Sequence, residues 1–131
     1  MGKIMKFKSS SQVGQDIFVH GYLGDSGTFL DIGCQHPTNI NNTYALEKLG
    51  WKGLSVDLDE NFIKLHHAQR SNPAIQGDAT IIDWLKVCQE NNLGMTIDYL
   101  SLDIDDQPGE ESKEMIVLNN LVSFGFVFNA M

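Results

Sequence analysis

The sequence predicts an α/β fold: a mostly parallel sheet of about five strands with helices on both faces. Two observations carry that prediction. Short runs of β-forming residues alternate five times with stretches of helical periodicity, and no Pro/Gly/Ser-rich linker divides them. Strand–helix alternation of this kind folds as right-handed βαβ units, whose sheets are parallel and covered on both sides. Secondly, each of the first four strand-like runs terminates in or beside an aspartate. A parallel sheet collects its carboxyl ends along one edge. Ligands of open α/β sheets bind outside that edge, where the strand order reverses. The 131 residues suffice for one core and read as a single domain, 1–131.

The elements follow in order. SQVGQDIFVHGYLG (11–24) predicts a short helix capped by Ser11, with Ile17 and Phe18 packing on the sheet. GTFLDI (27–32) is the first strand. NTYALEKLG (42–50) has Leu46 and Leu49 at helical spacing and Gly50 as a stop. KGLSVDL (52–58) is the second strand, with Trp51 packing in the turn before it. DENFIKLHHAQR (59–70) opens on Asp59 as N-cap and sets Phe62, Leu65 and Ala68 along one face. PAIQG (73–77) is the third strand. TIIDWLKVCQENN (80–92) starts from Thr80 as N-cap, with Ile81, Leu85 and Cys88 on one stripe and Trp84 in the core. MTIDYLSLDI (95–104) is the fourth strand. Residues 112–122 place Met115, Leu118 and Val122 on a helical face, and FGFVF (124–128) is the fifth strand.

Composition narrows the class. An apolar content of 42% suits a folded domain. The formal net charge of −8 disfavours nucleic acid and anionic membrane surfaces as partners, because both would repel it. No apolar run approaches the roughly 18 residues of a membrane span. The basic start, MGKIMKFK, has no apolar segment behind it and so is no secretory signal. Lys6 stands where a myristoylation signal needs Ser or Thr. Two distant cysteines, Cys34 and Cys88, read as reduced thiols, so the expected location is cytoplasmic.

The strand ends carry the chemistry. Asp31 closes the first strand and is followed by Gly33. Asp57 closes the second, with Asp59 beyond. Gly77-Asp78 closes the third. Asp103 closes the fourth, with Asp105 and Asp106 beyond. One such aspartate is readily a helix cap; four in succession point to a shared ligand. Asp57 follows Asp31 by 26 residues, the placement of an acidic group that accepts from ribose hydroxyls. Asp78 suits an amino group such as that of adenine. After Gly33 the chain reads Cys34-Gln35-His36-Pro37-Thr38, so the glycine-rich turn that brings pyrophosphate to a helix is missing, and no P-loop is present. This speaks against a nicotinamide-dependent oxidoreductase. S-adenosylmethionine has no phosphate, carries a sulfonium cation, and brings an amino group, a ribose and an adenine; an acidic pocket suits it.

SQVGQD (11–16), TFLDIGCQHP (28–37), NNTYALEKLGWKGLSVD (41–57), GDA (77–79) and DYLSLDID (98–105) resemble the FkbM-type family of S-adenosylmethionine-dependent methyltransferases over most of residues 11–105. The resemblance implies a Rossmann-like methyltransferase sandwich. It implies Asp31 and Gly33 in the cofactor loop, Asp57 at the ribose and Asp78 near adenine. The full expected cofactor set is Gln15, Asp31, Gly33, Cys34, Asn42, Asp57, Asp78 and Ala79, and the N-terminal Gln12, Gln15 and Asp16 are read as folding over the cofactor's amino-acid end. Asp103 then lies beside the reacting methyl as the catalytic residue. The implied activity is O-methylation of a hydroxyl on a sugar or natural product. Two departures stand out. Asp105-Asp106-Gln107-Pro108 replaces the Glu-Gly-x-Glu common in relatives. The sequence ends at FVFNAM (126–131), so the usual last two strands are expected to be missing.

Methyl transfer is an in-line displacement, so the protein chiefly aligns acceptor and methyl. Asp103 and His36 are the candidate bases, and His36 reads more readily as an exposed loop residue. Asp103, Asp105 and Asp106 fit no calcium loop and read as a solvated acidic stretch, so no metal is assigned. His66-His67 reads as surface, because adjacent helical residues point apart. The expected partners are a small-molecule or glycan hydroxyl acceptor and a second copy across the exposed fifth-strand edge. The alternative is a core that holds S-adenosylmethionine without turnover.

Overall fold

The computed structural model describes residues 8–12, 14–105 and 108–131. Lys6, Asp106 and Gln107, which figure in the sequence reading, lie outside the described residues. Among the described residues β1 (Thr28–Ile32), β2 (Lys52–Asp57), β3 (Ala74–Gln76), β4 (Thr96–Leu102) and β5 (Val127–Ala130) form one sheet in the order β3-β2-β1-β4-β5. Every pair is parallel. The order reverses between β1 and β4, which makes the arrangement Rossmann-like. Helices α1 (Gln15–Leu23), α2 (Tyr44–Lys48), α3 (Glu60–Gln69), α4 (Trp84–Glu90) and α5 (Lys113–Ser123) are interspersed with the strands. No described helix is long and apolar enough to cross a membrane.

The period of two along each strand divides the core. Leu30, Ile32, Leu54, Val56 and Leu100 pack with Trp84 and Cys88 of α4 and with Val117 and Leu121 of α5. On the other face Phe29 and Tyr99 pack with Val19 of α1, Leu46 of α2 and Trp51. Ile63 of α3 packs with Ala74 and Cys34. Helices therefore cover both faces. The Gly50–Gly53 stretch is a packing device. Gly50, at φ +104°, ends α2 with its N–H on the Glu47 carbonyl, while the Trp51 N–H bonds the Leu46 carbonyl. This turn drives Trp51 into the core.

Several local expectations are corrected. Helix α4 starts at Trp84, not at residue 80. Asp83 caps it by accepting from the Lys86 N–H at 3.2 Å, and Thr80 instead donates to Asp78. Ile81 is 81% exposed, and the buried stripe is Trp84 and Cys88. Helix α3 buries Ile63 and His66 rather than Phe62, Leu65 and Ala68, so His66 is not a surface residue. Helix α5 buries Val117 and Leu121 while Met115 and Val122 are exposed. Each helix carries apolar residues on both sides of its true stripe, so a stripe shifted by one residue fits the period almost as well. In α1 Gly14 occupies the N-cap position, and Ser11 Oγ accepts from the Asp16 N–H at 3.1 Å. Ile17 and Phe18 are exposed, with Phe18 stacked on Tyr22; Val19 is the core residue.

Beneath β1 a buried polar network joins α2, α3 and the β1–α2 loop. Its centre is Arg70, directly after α3. The guanidinium donates from Nε to Glu47 at 2.9 Å, from Nη1 to the Pro37 carbonyl at 2.9 Å, and from Nη2 to Thr43 Oγ1 at 3.2 Å. It also lies 5.9 Å from the Phe29 ring centroid and 5.7 Å from that of Tyr44. Glu47 uses its other oxygen to accept from the Asn72 N–H at 3.0 Å. Asn41 Oδ1 accepts from the N–H groups of Thr43 and Tyr44, both at 2.8 Å, and so secures the start of α2. Both partners of the Arg70–Glu47 pair are buried, with side chains 1% and 7% exposed. Glu47→Ala should leave a buried cation unpaired and lower the unfolding free energy by about 3–5 kcal/mol in chemical denaturation. Glu60→Ala, which removes the exposed pair with Lys64, should change it by under about 1 kcal/mol.

Candidate functional site

A cavity of about 560 Å³ lies over the carboxyl ends of β1, β2, β3 and β4. That volume is within the range of small-molecule sites. Asp57, the last residue of β2, faces it together with Asp59, Asp78, Asp103 and Asp105; Lys113, first in α5, is the one cation in the described lining. Gly33, Ala79, Gln35, Phe62 and Thr80 are among its other lining residues, over an apolar floor that includes Ile32, Val56 and Ile104.

Three of the carboxylates, those of Asp57, Asp59 and Asp78, are placed by local hydrogen bonds. Asp57 Oδ2 accepts from the Gln35 N–H at 3.0 Å and Oδ1 from the Asp59 N–H at 2.9 Å. The carboxylate therefore ties the loop after β1 to the start of α3. Asp59 caps α3 by accepting from the Asn61 N–H at 2.8 Å. Asp78 lies two residues past β3. Its Oδ1 accepts from the Thr80 hydroxyl at 2.6 Å and the Thr80 N–H at 2.9 Å. These bonds, with a smaller contribution from Lys113, hold its pKa below the usual carboxylate value. Asp103, one residue past β4, is exposed, and its N–H donates to the Ile32 carbonyl at 3.0 Å.

Gly33 has a specific steric reason to be glycine. It sits at φ +76°, and a Cβ there would lie 1.8 Å from the Asp103 carbonyl oxygen. The close approach it permits is thus to the β4 loop itself. The amides that follow β1 are also committed. The Gly33 and Cys34 N–H groups both donate to the Val56 carbonyl, at 2.8 and 3.2 Å, and the Gln35 N–H goes to Asp57. No amide of this turn is left to form the anion nest of a phosphate loop.

The other expected site residues lie elsewhere. Gln15 opens α1 and is outside the cavity lining. Asp31 does not terminate its strand: β1 continues to Ile32, and Asp31 lies between Ser55 and Ser101 in the ladder. Its carboxyl, 3% exposed, accepts from the Thr43 hydroxyl at 2.8 Å. Cys34 is buried beside Ile63 and Ala74, and burial pushes its thiol pKa up. Asn42 donates from Nδ2 to Ser101 Oγ at 3.0 Å. Asp31 follows the alternation of β1 away from the cavity, which the rule "strand end means ligand" does not resolve. Among the polar and aromatic residues of the cavity, those missed in sequence are Gln35, Phe62, Thr80 and Lys113, beside apolar ones such as Leu58 and Ile104. Only Phe62, an aromatic at the start of α3, carried a signal, and the helical period assigned it to the core.

Two buried titrating groups lie behind the sheet and oppose each other. Burial raises the Asp31 pKa to about 6, against the lowering effects of Thr43 and Arg70. A folded pKa above the unfolded value of 3.8 gives stability that is complete below pH 3.8 and lost as pH rises through 6. The amount is about 3 kcal/mol. Burial, with the Arg70 charge, lowers the His66 pKa to about 4, while its ring nitrogen Nε2 bonds the Gln35 carbonyl at 3.1 Å. A folded pKa below 6.5 gives stability that is complete above 6.5 and lost as pH falls through 4. Between pH 4 and 6 the two slopes offset. Denaturation midpoints of Asp31→Asn should therefore rise with pH across this window, those of His66→Gln should fall, and the parent should vary least of the three.

Comparison with protein-family models, curated proteins and solved structures found no match to this chain.

Proposed function

We propose that the cavity binds an adenosyl compound without phosphate, and that the chain is an S-adenosylmethionine-dependent methyltransferase core of the FkbM type acting on a hydroxyl of a sugar or natural product. The observation that carries the reading is the state of Asp57. Two backbone amides fix its carboxylate at the end of β2, facing the cavity it shares with Asp78, while the neighbouring amides 33–35 are consumed within the protein. A fixed carboxylate is the acceptor a ribose diol needs. A turn with no spare amide disfavours a phosphate. Five carboxylates against one lysine favour a cationic ligand.

In this reading Asp57 holds the ribose and Asp78 accepts from the adenine amino group, with Phe62 and Ala79 as apolar wall. When bound, S-adenosylmethionine supplies a methyl already activated for displacement. The chain supplies position. Asp103, at the β4 end of the cavity, can take the proton of an acceptor hydroxyl. Asp31, Cys34 and Asn42 then act from outside the cavity, through Thr43, the Val56 carbonyl and Ser101, by holding the β1 segment and the loop that shapes the wall. The second reading, a core that binds without turnover, has one observation in its favour. The Asp103 carboxylate makes no side-chain hydrogen bond among the described residues, and the carboxyl raised towards neutrality, Asp31, is outside the cavity.

Calorimetric titration with S-adenosylhomocysteine tests the site. The parent should bind, and Asp57→Ala should bind at least about tenfold more weakly while still unfolding cooperatively. A parent that does not bind, or a variant that binds equally well, removes the proposal. Methylation in a panel of hydroxyl acceptors then separates the enzyme from the binding core.

A further inference from the structure

A second cavity, of about 680 Å³, lies on the other side of the β1–α2 loop, between residues 8–11, residues 36–40 and α2. Gln35 lines the first cavity and its neighbour His36 the second. The chemistry of the two is opposite. The described lining of the second contains Lys8 and Lys48 and no carboxylate, in a chain with 17 acidic and 9 basic residues. Of its other polar groups, Ser9 and Ser10 spend their hydroxyl hydrogens on Asp16 and the Asn41 carbonyl, while His36 and Ser11 each keep a donor. His36 Nδ1 accepts from the N–H groups of Thr38 and Asn39, at 3.2 and 3.0 Å, so a neutral ring presents Nε2–H. Ser11 Oγ accepts from the Asp16 N–H, which leaves its hydroxyl hydrogen to be donated. Asp16 is buried behind this wall, and its oxygens are engaged by Ser9 and by the Ser10 and Ile17 amides. It therefore shapes the serine run without adding acceptor character to the cavity.

The backbone points the same way. Ile40, in the cavity wall, is a β-branched residue at φ +52° with 62% of its surface exposed. That conformation is costly and persists only where the surroundings over-determine it; such positions gather at ligand-contacting loops. Here Asn41 supplies the constraint. Its N–H bonds the Ser10 carbonyl at 2.7 Å, and its Nδ2 bonds the carbonyls of Cys34 and His36.

We propose that this second cavity is a binding site for a small organic anion, with Lys48, Lys8, His36 Nε2–H and the Ser11 hydroxyl holding a carboxylate or phosphate group and Ile40 and the Tyr44 ring flanking its carbon skeleton. The site stands whether or not the first cavity takes an adenosyl compound. It is tested by following backbone amide NMR shifts of the full chain during titration with glucuronate, glucose 6-phosphate and, as a neutral control, glucose. At least one anion should shift the amides of residues 9–11, 36 and 38–40 saturably below about 10 mM, while glucose does not. The two anions distinguish carboxylate from phosphate as the preferred group. Lys48→Met should weaken the binding about tenfold, and Lys48→Arg should restore most of it; unchanged shifts elsewhere in both variants report an intact fold. Absence of saturable shifts with either anion, equal response to glucose, or an affinity unchanged in Lys48→Met overturns the proposal.

Discussion

The fold depends on a cation in an unusual place. Arg70 closes α3 and turns under the sheet, where its guanidinium is spent on Glu47, the Pro37 carbonyl and Thr43. A charge in that position is tolerated only because each of these partners is present. Losing Glu47 or Thr43 leaves a buried donor without an acceptor, whereas Nη1 also reaches Asn41 Oδ1 at 3.3 Å. In return, one side chain fixes the relative position of α2, α3 and the long loop after β1. That loop forms a wall of both cavities, so the shape of each rests on the same buried pair.

The network also explains why polar residues cluster in the stretch from Asn41 to Glu47. Asn41 secures the start of α2, Thr43 joins Asp31 to Arg70, and Glu47 neutralises the guanidinium. The following Gly50 and Trp51 end the helix and fill the core beside Phe29. A motif that reads as a binding signature in one dimension is, in three, largely an internal scaffold. Its influence on a ligand is indirect, through the placing of residues 33–40.

The parallel sheet was legible because alternation of strand and helix is a global pattern that tolerates local error. The shared edge of Asp57, Asp78 and Asp103 was legible for the same reason: once strands run parallel, their ends must meet. What could not be read was anything that depends on a single residue of phase. Asp31 falls one position short of the strand end, and the pleat turns it to the opposite face from Ile32. The stripes of α3 and α5 slip by one residue because apolar side chains border the true face on both sides. Arg70 looked like an ordinary helix-terminal base, since nothing local announces that α2 and the Pro37 turn will close over it.

The contact between Gly33 and the Asp103 carbonyl has a mechanical consequence. Two backbones that meet with no room for a methyl group set the turns after β1 and β4 directly against each other, so any side chain at position 33 would have to part them. The β2–α3 turn is joined to the turn after β1 through Asp57, whose carboxylate accepts from the Gln35 and Asp59 N–H groups. An occupant would therefore meet three strand ends buttressed against one another, by a backbone contact on one side and a shared carboxylate on the other.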